Sequence, residues 1–386
     1  MDLISHTKRR AAAAAIACAA ILMPSAALAA AAHPAAPGAR ERPAVGPVPR
    51  GFAADSVTFV SPREAFVLGT APCAVAPCTS IVRTLDRGAS WRGVPAPVVK
   101  IGGPGAAGAA VWGIRFATPL HGFVFGTGLW VTTDGSGHWT QIPGPGGSIF
   151  SLATIDGQVL ALTVRCTPAT GCARTGTLMR RPLGGGRWSR VTSVSFGFGF
   201  LDLIATQARV AAMLDGTHVL VTKDGGLSIV RRATPCTGRF VDVAASVAVT
   251  SANGLALLCA GDSASGHEIK DVFVSGDDGL HWHKTAGRPS NDGILGTIGA
   301  ASPAQLTVTA DSFESWLYHS ADGGRTWRTA RVFADAGLGW ADLGFTTTAD
   351  GVVVHGAVDR DGNPDHRPGQ LLLTGNAGAS WVLVRF

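Results

Sequence analysis

Thr84-Leu85-Asp86-Arg87-Gly88-Ala89-Ser90-Trp91 returns later in the chain as Ser320-Ala321-Asp322-Gly323-Gly324-Arg325-Thr326-Trp327. It returns again as Ser275-Gly276-Asp277-Asp278-Gly279-Leu280-His281-Trp282, with His281 in the hydroxyl place. Weaker copies extend the series. Thr132 to Trp139 keeps Asp134 and the Trp but has Ser136 for Gly; Thr222 to Ile229 keeps Asp224 and Gly226 and loses the Trp; Thr374 to Trp381 has Asn376 for Asp. A seventh, decayed unit ends at Trp188, with Leu183 in the Asp place and Gly185 retained. The Trp positions are therefore 91, 139, 188, 229 (Ile), 282, 327 and 381. A period of about 48 residues with no 3.6-residue apolar pattern indicates propeller blades rather than helical repeats.

Each unit reads as four short strands. In the first they are 56–61, 64–69, 80–84 and 91–94; in the last, 341–346, 352–356, 370–374 and 381–385. Turn residues separate them at the spacing of an all-β meander. The expected fold is all-β: a closed seven-bladed β-propeller of four-stranded antiparallel blades, an arrangement that hides most sheet edges by going round a circle.

The repeated turn has a structural chemistry. Its Asp accepts hydrogen bonds from backbone N–H groups downstream, its Gly takes a positive-φ position, and its Ser or Thr adds a local acceptor. The Trp is expected at the start of the outer strand, filling the wedge between blades. On this reading Asp86, Trp91, Asp134, Trp139, Asp224, Asp277, Trp282, Asp322, Trp327, Asn376 and Trp381 are structural residues. These copies resemble Asp-box (BNR) repeats, Ser/Thr-x-Asp-x-Gly-x-Thr/Ser-Trp. With the Phe-Val-Leu-Gly and Phe-Val-Phe-Gly strands before them, they are similar to secreted bacterial BNR-like propellers over about residues 52–386. The broad class includes sialidase-like, sortilin-like and photosystem II assembly factor-like propellers, so the resemblance implies a fold and leaves the function open.

Residues 1–29 read as a signal peptide: Lys8-Arg9-Arg10, an apolar run from Ala11 to Met23, and Ala27-Leu28-Ala29 before cleavage. The alternatives are a lipid anchor at Cys18, for which Ala15-Ile16-Ala17 is a poor lipobox, and an uncleaved anchor. Residues 30–50 are rich in Ala and Pro, as in an extended spacer, and 51–386 is the propeller. No later apolar run is long enough to span a bilayer. Six cysteines remain after cleavage. Cys73 and Cys78, Cys166 and Cys172, and Cys236 and Cys259 each fall within one expected blade, and three disulfides are expected in an oxidising compartment. The irregular spacings argue against a zinc site. Of the net charge of +6, the leader contributes +2 and the rest is spread along the chain without a basic run, which gives a nucleic-acid partner little support.

A sialidase would need a Tyr nucleophile. The one tyrosine, Tyr318, lies two residues before the sixth turn, where packing is expected, and the Arg-Ile-Pro signature of sialidases is missing. Ordinary glycosidases need two carboxylates across a cleft. Aligning the units on their first strands places Ser56, Gly113, Ser151, Asp202, Asp242, Thr297 and Asp342 at one position. Asp202, Asp242 and Asp342, with Trp112 and Trp340 opening first strands, form a candidate channel-mouth binding set; a solvated channel wall and packed aromatics are the plain alternative. Asp359, Asp361, Asn363 and Asp365 alternate like the ligands of a calcium loop, against which stand Pro364 for the turn Gly and Gln370 for the closing Glu. His281 and His283 read as a surface pair. The function expected is therefore an exported, monomeric, non-enzymatic module for a protein or glycan partner, with no cofactor except a possible calcium ion. A glycan-active hydrolase is the alternative.

Overall fold

Seven antiparallel sheets follow one another along the chain in a computed structural model that describes residues 45–76, 78–103, 108–167, 171–195, 205–207, 209–236, 243–294, 296–334, 339–356 and 369–386. The described residues belong to one unit, Glu41–Phe386. Each blade is a meander in sequence order. Blade 1 is Ala53–Phe59, Ala65–Thr70, Thr79–Thr84 and Arg92–Val94; blade 7 is Trp340–Phe345, Gly351–His355, Gln370–Thr374 and Val382–Leu383. Inner strands lie beside one another round the ring, Ala110–Phe116 next to Ala53–Phe59 and Trp340–Phe345 returning to Ala53–Phe59. The fold is a seven-bladed β-propeller. Blade 2 carries one addition, a two-residue strand Lys100–Ile101 parallel to Ala110–Phe116. Val45–Arg50, within the stretch expected as spacer, includes Gly46, which exchanges two 3.0 Å backbone hydrogen bonds with Gly93 of blade 1's outer strand.

The core is divided into wedges between blades. Phe66, Leu68 and Ile81 of blade 1 meet Val111, Ile114 and Phe116 of blade 2, and each other junction has a corresponding apolar cluster. One repeat residue sits in each: Trp91, Trp139, Trp188, Ile229, Trp282, Trp327 and Trp381, always against the preceding blade. The tryptophan ends the turn, one residue ahead of the outer strand. It leaves the ladder free and turns its ring into the wedge.

The turns form the same bonds in six copies. Thr84 Oγ1 donates to Asp86 Oδ1 at 2.8 Å and accepts from Gly88 N at 2.9 Å, while Asp86 takes the Ser90 N–H at 2.8 Å. The bond from the fifth residue's N–H to the hydroxyl recurs at 2.8–3.0 Å at Ser136, Gly226, Gly279, Gly324 and Gly378. The Ser90 hydroxyl and backbone N–H pull the Asp86 pKa down to about 2, and the Thr326 hydroxyl and N–H do the same for Asp322. Asn376 substitutes as acceptor from Ser380 N, and His138 and His281 use Nδ1 where other copies use a hydroxyl. Gly88 has φ 85°, and a Cβ there would lie 2.4 Å from Leu373 of blade 7, so both backbone and neighbour demand glycine. In the decayed third copy Arg181 replaces the hydroxyl. It is buried, with its guanidinium 5.2 Å from the Trp188 ring and 5.7 Å from Phe123, and burial lowers its pKa.

Candidate functional site

Five of the seven inner strands carry a β-bulge at a shared position: between Ala54 and Ser56, Val111 and Gly113, Ile149 and Ser151, Ala244 and Ser246, and Ala341 and Gly344. Bulges re-aim side chains, and in blade 7 the bulged Asp342 (φ 52°) serves three blades. Its Oδ2 accepts from Ser56 Oγ at 2.6 Å and Val57 N at 2.8 Å of blade 1, and its Oδ1 from Arg115 of blade 2 at 2.5 Å. Ser56 Oγ also accepts Ile114 N at 3.2 Å, and Arg115 donates to Val57 O and Ile114 O at 3.2 and 2.7 Å. The Asp342 side chain is 5% exposed. Burial would push its pKa up, but Arg115 and these donors hold it below the usual carboxylate range. The result is a strap across blades 7, 1 and 2.

Asp342 is the one carboxylate of the sequence-derived channel set within the described residues; Asp202 and Asp242 lie outside them, as do Asp359, Asp361, Asn363 and Asp365. The bulge register puts blade 5's equivalent of Ser56 at Ser246, four residues beyond Asp242, and Ser246 Oγ accepts Ile298 N at 3.1 Å as Ser56 accepts Ile114. Trp112 and Trp340 are buried. Trp112 meets Phe150 edge-on at 6.2 Å, and Trp340 lies 4.5 Å from the His355 ring and donates to Ala310 O at 3.0 Å. Neither presents an open face. Tyr318 is also buried and donates to Asp292 O at 2.9 Å; burial raises its pKa, the reverse of what a nucleophile needs. Among the described residues no three His, Cys, Asp or Glu are placed to hold a metal ion, and no helix is long and apolar enough to cross a membrane.

Three disulfides join Cys73 to Cys78, Cys166 to Cys172 and Cys236 to Cys259, with Cα separations of 5.5, 3.9 and 5.6 Å. In an antiparallel meander the connections from second to third strand, and from one blade to the next, emerge at one end of the ring. All three bridges brace that end. Near it Lys270, fully buried, donates from Nζ to the carbonyls of Glu268, Ser290, Asn291, Asp292 and Gly293 at 2.6–3.3 Å. Burial pushes its pKa down to about 8 against the opposing charges of Glu268 and Asp292. Cys236–Cys259 closes the largest of the three loops, 23 residues, and both sulfurs are buried. Changing both cysteines to serine is expected to cost roughly 3 kcal/mol in urea unfolding, and losing Cys73–Cys78 clearly less. Equal costs would refute the loop-entropy account of these bridges.

Among the described residues, surface cavities open at the wedges between blades 7 and 1 and between blades 3 and 4. The larger, about 730 Å³, lies where blade 7 meets blade 1 and is lined by Trp91, Leu373, Val382 and Phe386 among others. The second, about 390 Å³, opens between blades 3 and 4 and is lined by Arg180, Arg190, Arg231, Leu220, Leu227 and Ile229. Residues 165–239, which supply most of these two blades, hold 11 of the 32 Lys and Arg and 3 of the 26 Asp and Glu, leaving 21 against 23 for the rest of the chain. The positive charge is thus concentrated, contrary to the even spread expected. A windowed charge count would have found it; a search for basic runs does not, because turns and apolar strand residues separate the arginines.

No protein-family model and no curated protein matches the chain. Among solved structures, YCF48 bound to D1 peptide is similar at 15% identity, with 86% of this chain and 96% of that one covered and a TM-score of 0.56. YCF48 from Cyanidioschyzon merolae matches at 15% identity, 86% and 98% coverage and a TM-score of 0.53. A polysaccharide lyase, PL25 ulvan lyase bound to -[GlcA(1-4)Rha3S]-, matches at 13% identity, 88% and 97% coverage and a TM-score of 0.53. At these identities the likeness is one of fold, a propeller that hosts both binding proteins and glycan-active enzymes.

Proposed function

We propose that this chain is an exported Asp-box propeller that binds a protein or glycan partner and performs no chemistry of its own. The observation that carries the reading is Asp342: of the three carboxylates a channel-mouth hydrolase could draw on, the one within the described residues is buried, ion-paired to Arg115 and bonded to Ser56 and Val57. A general acid needs a raised pKa and a nucleophile needs access to substrate; Asp342 has neither. The disulfide-braced end is the proposed binding face, because rigidly held loops lose little entropy on binding. Export is supported by the leader-like first 29 residues together with three disulfides, which persist in oxidising compartments. A neighbour in fold, YCF48, was solved with a bound peptide.

The test is a reducing-end and unsaturated-product assay of the purified 30–386 chain on neutral and acidic polysaccharides, with calcium and with EDTA. No turnover in either condition is expected. Turnover abolished by Asp202→Asn or Asp242→Asn, in protein that melts like the parent, would establish the hydrolase instead. Turnover that appears only with calcium would bring in the 359–365 loop.

A further inference from the structure

The cleft between blades 3 and 4 is lined by Ile229, which stands in the fourth repeat where the other six have Trp. A Trp there would carry more bulk into this space, and three arginines border it. Among the described residues Arg180 has no carboxylate partner, Arg190 donates to the Ser193 hydroxyl, and Arg231 shares Asp215, 3.0 Å away. Asp215 is itself engaged by Ser195 N at 2.7 Å. Asp224, in the turn beside the cleft, is occupied by Ser228 and Thr222. The cleft is therefore cationic in excess of its local carboxylates, with Leu220 and Ile229 as an apolar floor and the exposed Leu227 at its lip.

One wall is blade 3's outer strand, Ser189–Ser195. Among the described residues it is, at seven, the longest outer strand, where blades 5 and 7 have two, and no described strand pairs with its far side. Such an edge is a template for one more strand. Guanidinium groups bind carboxylates by paired, planar hydrogen bonds.

We propose that this rim binds an extended acidic peptide segment, which adds a strand along Ser189–Ser195, sets its carboxylates on Arg180, Arg190 and Arg231, and lays an apolar side chain over Ile229. Both recognition elements are needed for the choice. An anionic glycan satisfies the arginines but cannot continue a backbone ladder, whereas a peptide does both. The surface is distinct from the disulfide-braced face and extends the binding-module reading to a second site.

The probe is a fluorescein-labelled peptide of alternating Glu and Val, titrated against the 30–386 chain by polarisation at about 20 and about 150 mM salt, across which the Debye length roughly halves or more. Binding weakened by salt is expected. It should fall at least about tenfold with a peptide N-methylated on alternate residues, with Arg180→Glu/Arg190→Glu, and with Ile229→Trp. Ile229→Trp restores the residue of the other repeats, so it should keep or raise the melting temperature while closing the cleft, which separates lost binding from lost folding. Undiminished binding by the N-methylated peptide, or by Ile229→Trp, overturns the proposal. So does polygalacturonate or dextran sulfate binding that Ile229→Trp abolishes while the peptide does not bind. A negative result leaves the non-enzymatic reading standing, because that rests on the turnover assay.

Discussion

Asp342→Ala is expected to destabilise the propeller by about 3 kcal/mol, at the lower end of the range for removing one member of a buried ion pair. The lower end applies because Arg115 is 28% exposed and keeps part of its hydration, while Asp342 is 5% exposed. What remains after the substitution is an uncompensated guanidinium, a Ser56 hydroxyl and a Val57 N–H, all having lost the same acceptor. Asp342→Asn keeps an acceptor and loses the charge, so it should fall between the two. Arg115→Ala in the Asp342→Ala background should cost much less than in the parent, because residues in one network are not additive. The pH dependence has a fixed sign. A carboxylate whose folded pKa lies below its unfolded value contributes fully above about pH 4 and loses that contribution as pH falls through the folded pKa. Urea unfolding from pH 7 to 3 should therefore bring the Asp342→Ala and parent curves together on the acid side. A cost under about 1 kcal/mol at pH 7 would mean that the strap is not what holds blade 7 to blades 1 and 2.

That strap also marks the limit of what the sequence discloses. The repeat is legible because each copy is local: eight residues contain the hydroxyl, the carboxylate, the glycine and the ring, so period and chemistry appear together. Asp342 and Arg115 are 227 positions apart, and only ring closure makes them neighbours. The bulges hide the inner-strand alignment further, since one inserted residue moves every later side chain to the other face; Ser246, not Asp242, therefore takes the Ser56 role. Lys100–Ile101 is too short to read as a strand. The arginines of blades 3 and 4 were visible as residues but not as a group, because Arg180, Arg190 and Arg231 lie on three different strands. Ile229 was legible as a lost Trp, yet only the wedge geometry shows that it lines a cleft.

Trp381→Ala should be among the most damaging single substitutions in the ring, at about 3–5 kcal/mol. Trp381 is 3% exposed between blades 6 and 7, beside Leu317, Leu372 and Val353, and its Nε1 donates to Gly378 O at 3.1 Å. Truncation leaves a cavity walled by two sheets whose spacing the rest of the ring fixes, so the space cannot collapse. Trp188→Ala is the internal comparison. Its indole is only half-buried, its Nε1 bond to Pro143 O is 3.3 Å, and its turn lacks the carboxylate, so the loss should be about half as large. Trp381 has a second burden. Blade 7 draws all four of its strands from residues 340–383, so among the described residues the ring is closed without a strand shared between its ends. Closure falls to the Asp342 strap, to the Ala54 N–Gly369 O bond at 3.0 Å, and to Phe386, whose ring meets Phe52 at 4.8 Å and Trp91 at 5.4 Å. The last outer strand, Val382–Leu383, is two residues long and follows directly on Trp381, which anchors the tail that carries Phe386. Trp381→Ala should therefore weaken the seam between blades 7 and 1 as well as its own wedge. Amide exchange is expected to rise on both sides of that seam, in Ala53–Phe59 and Gln370–Thr374, ahead of the rest of the ring. Exchange confined to blades 6 and 7, or a cost no greater than that of Trp188→Ala, would remove Trp381 from ring closure.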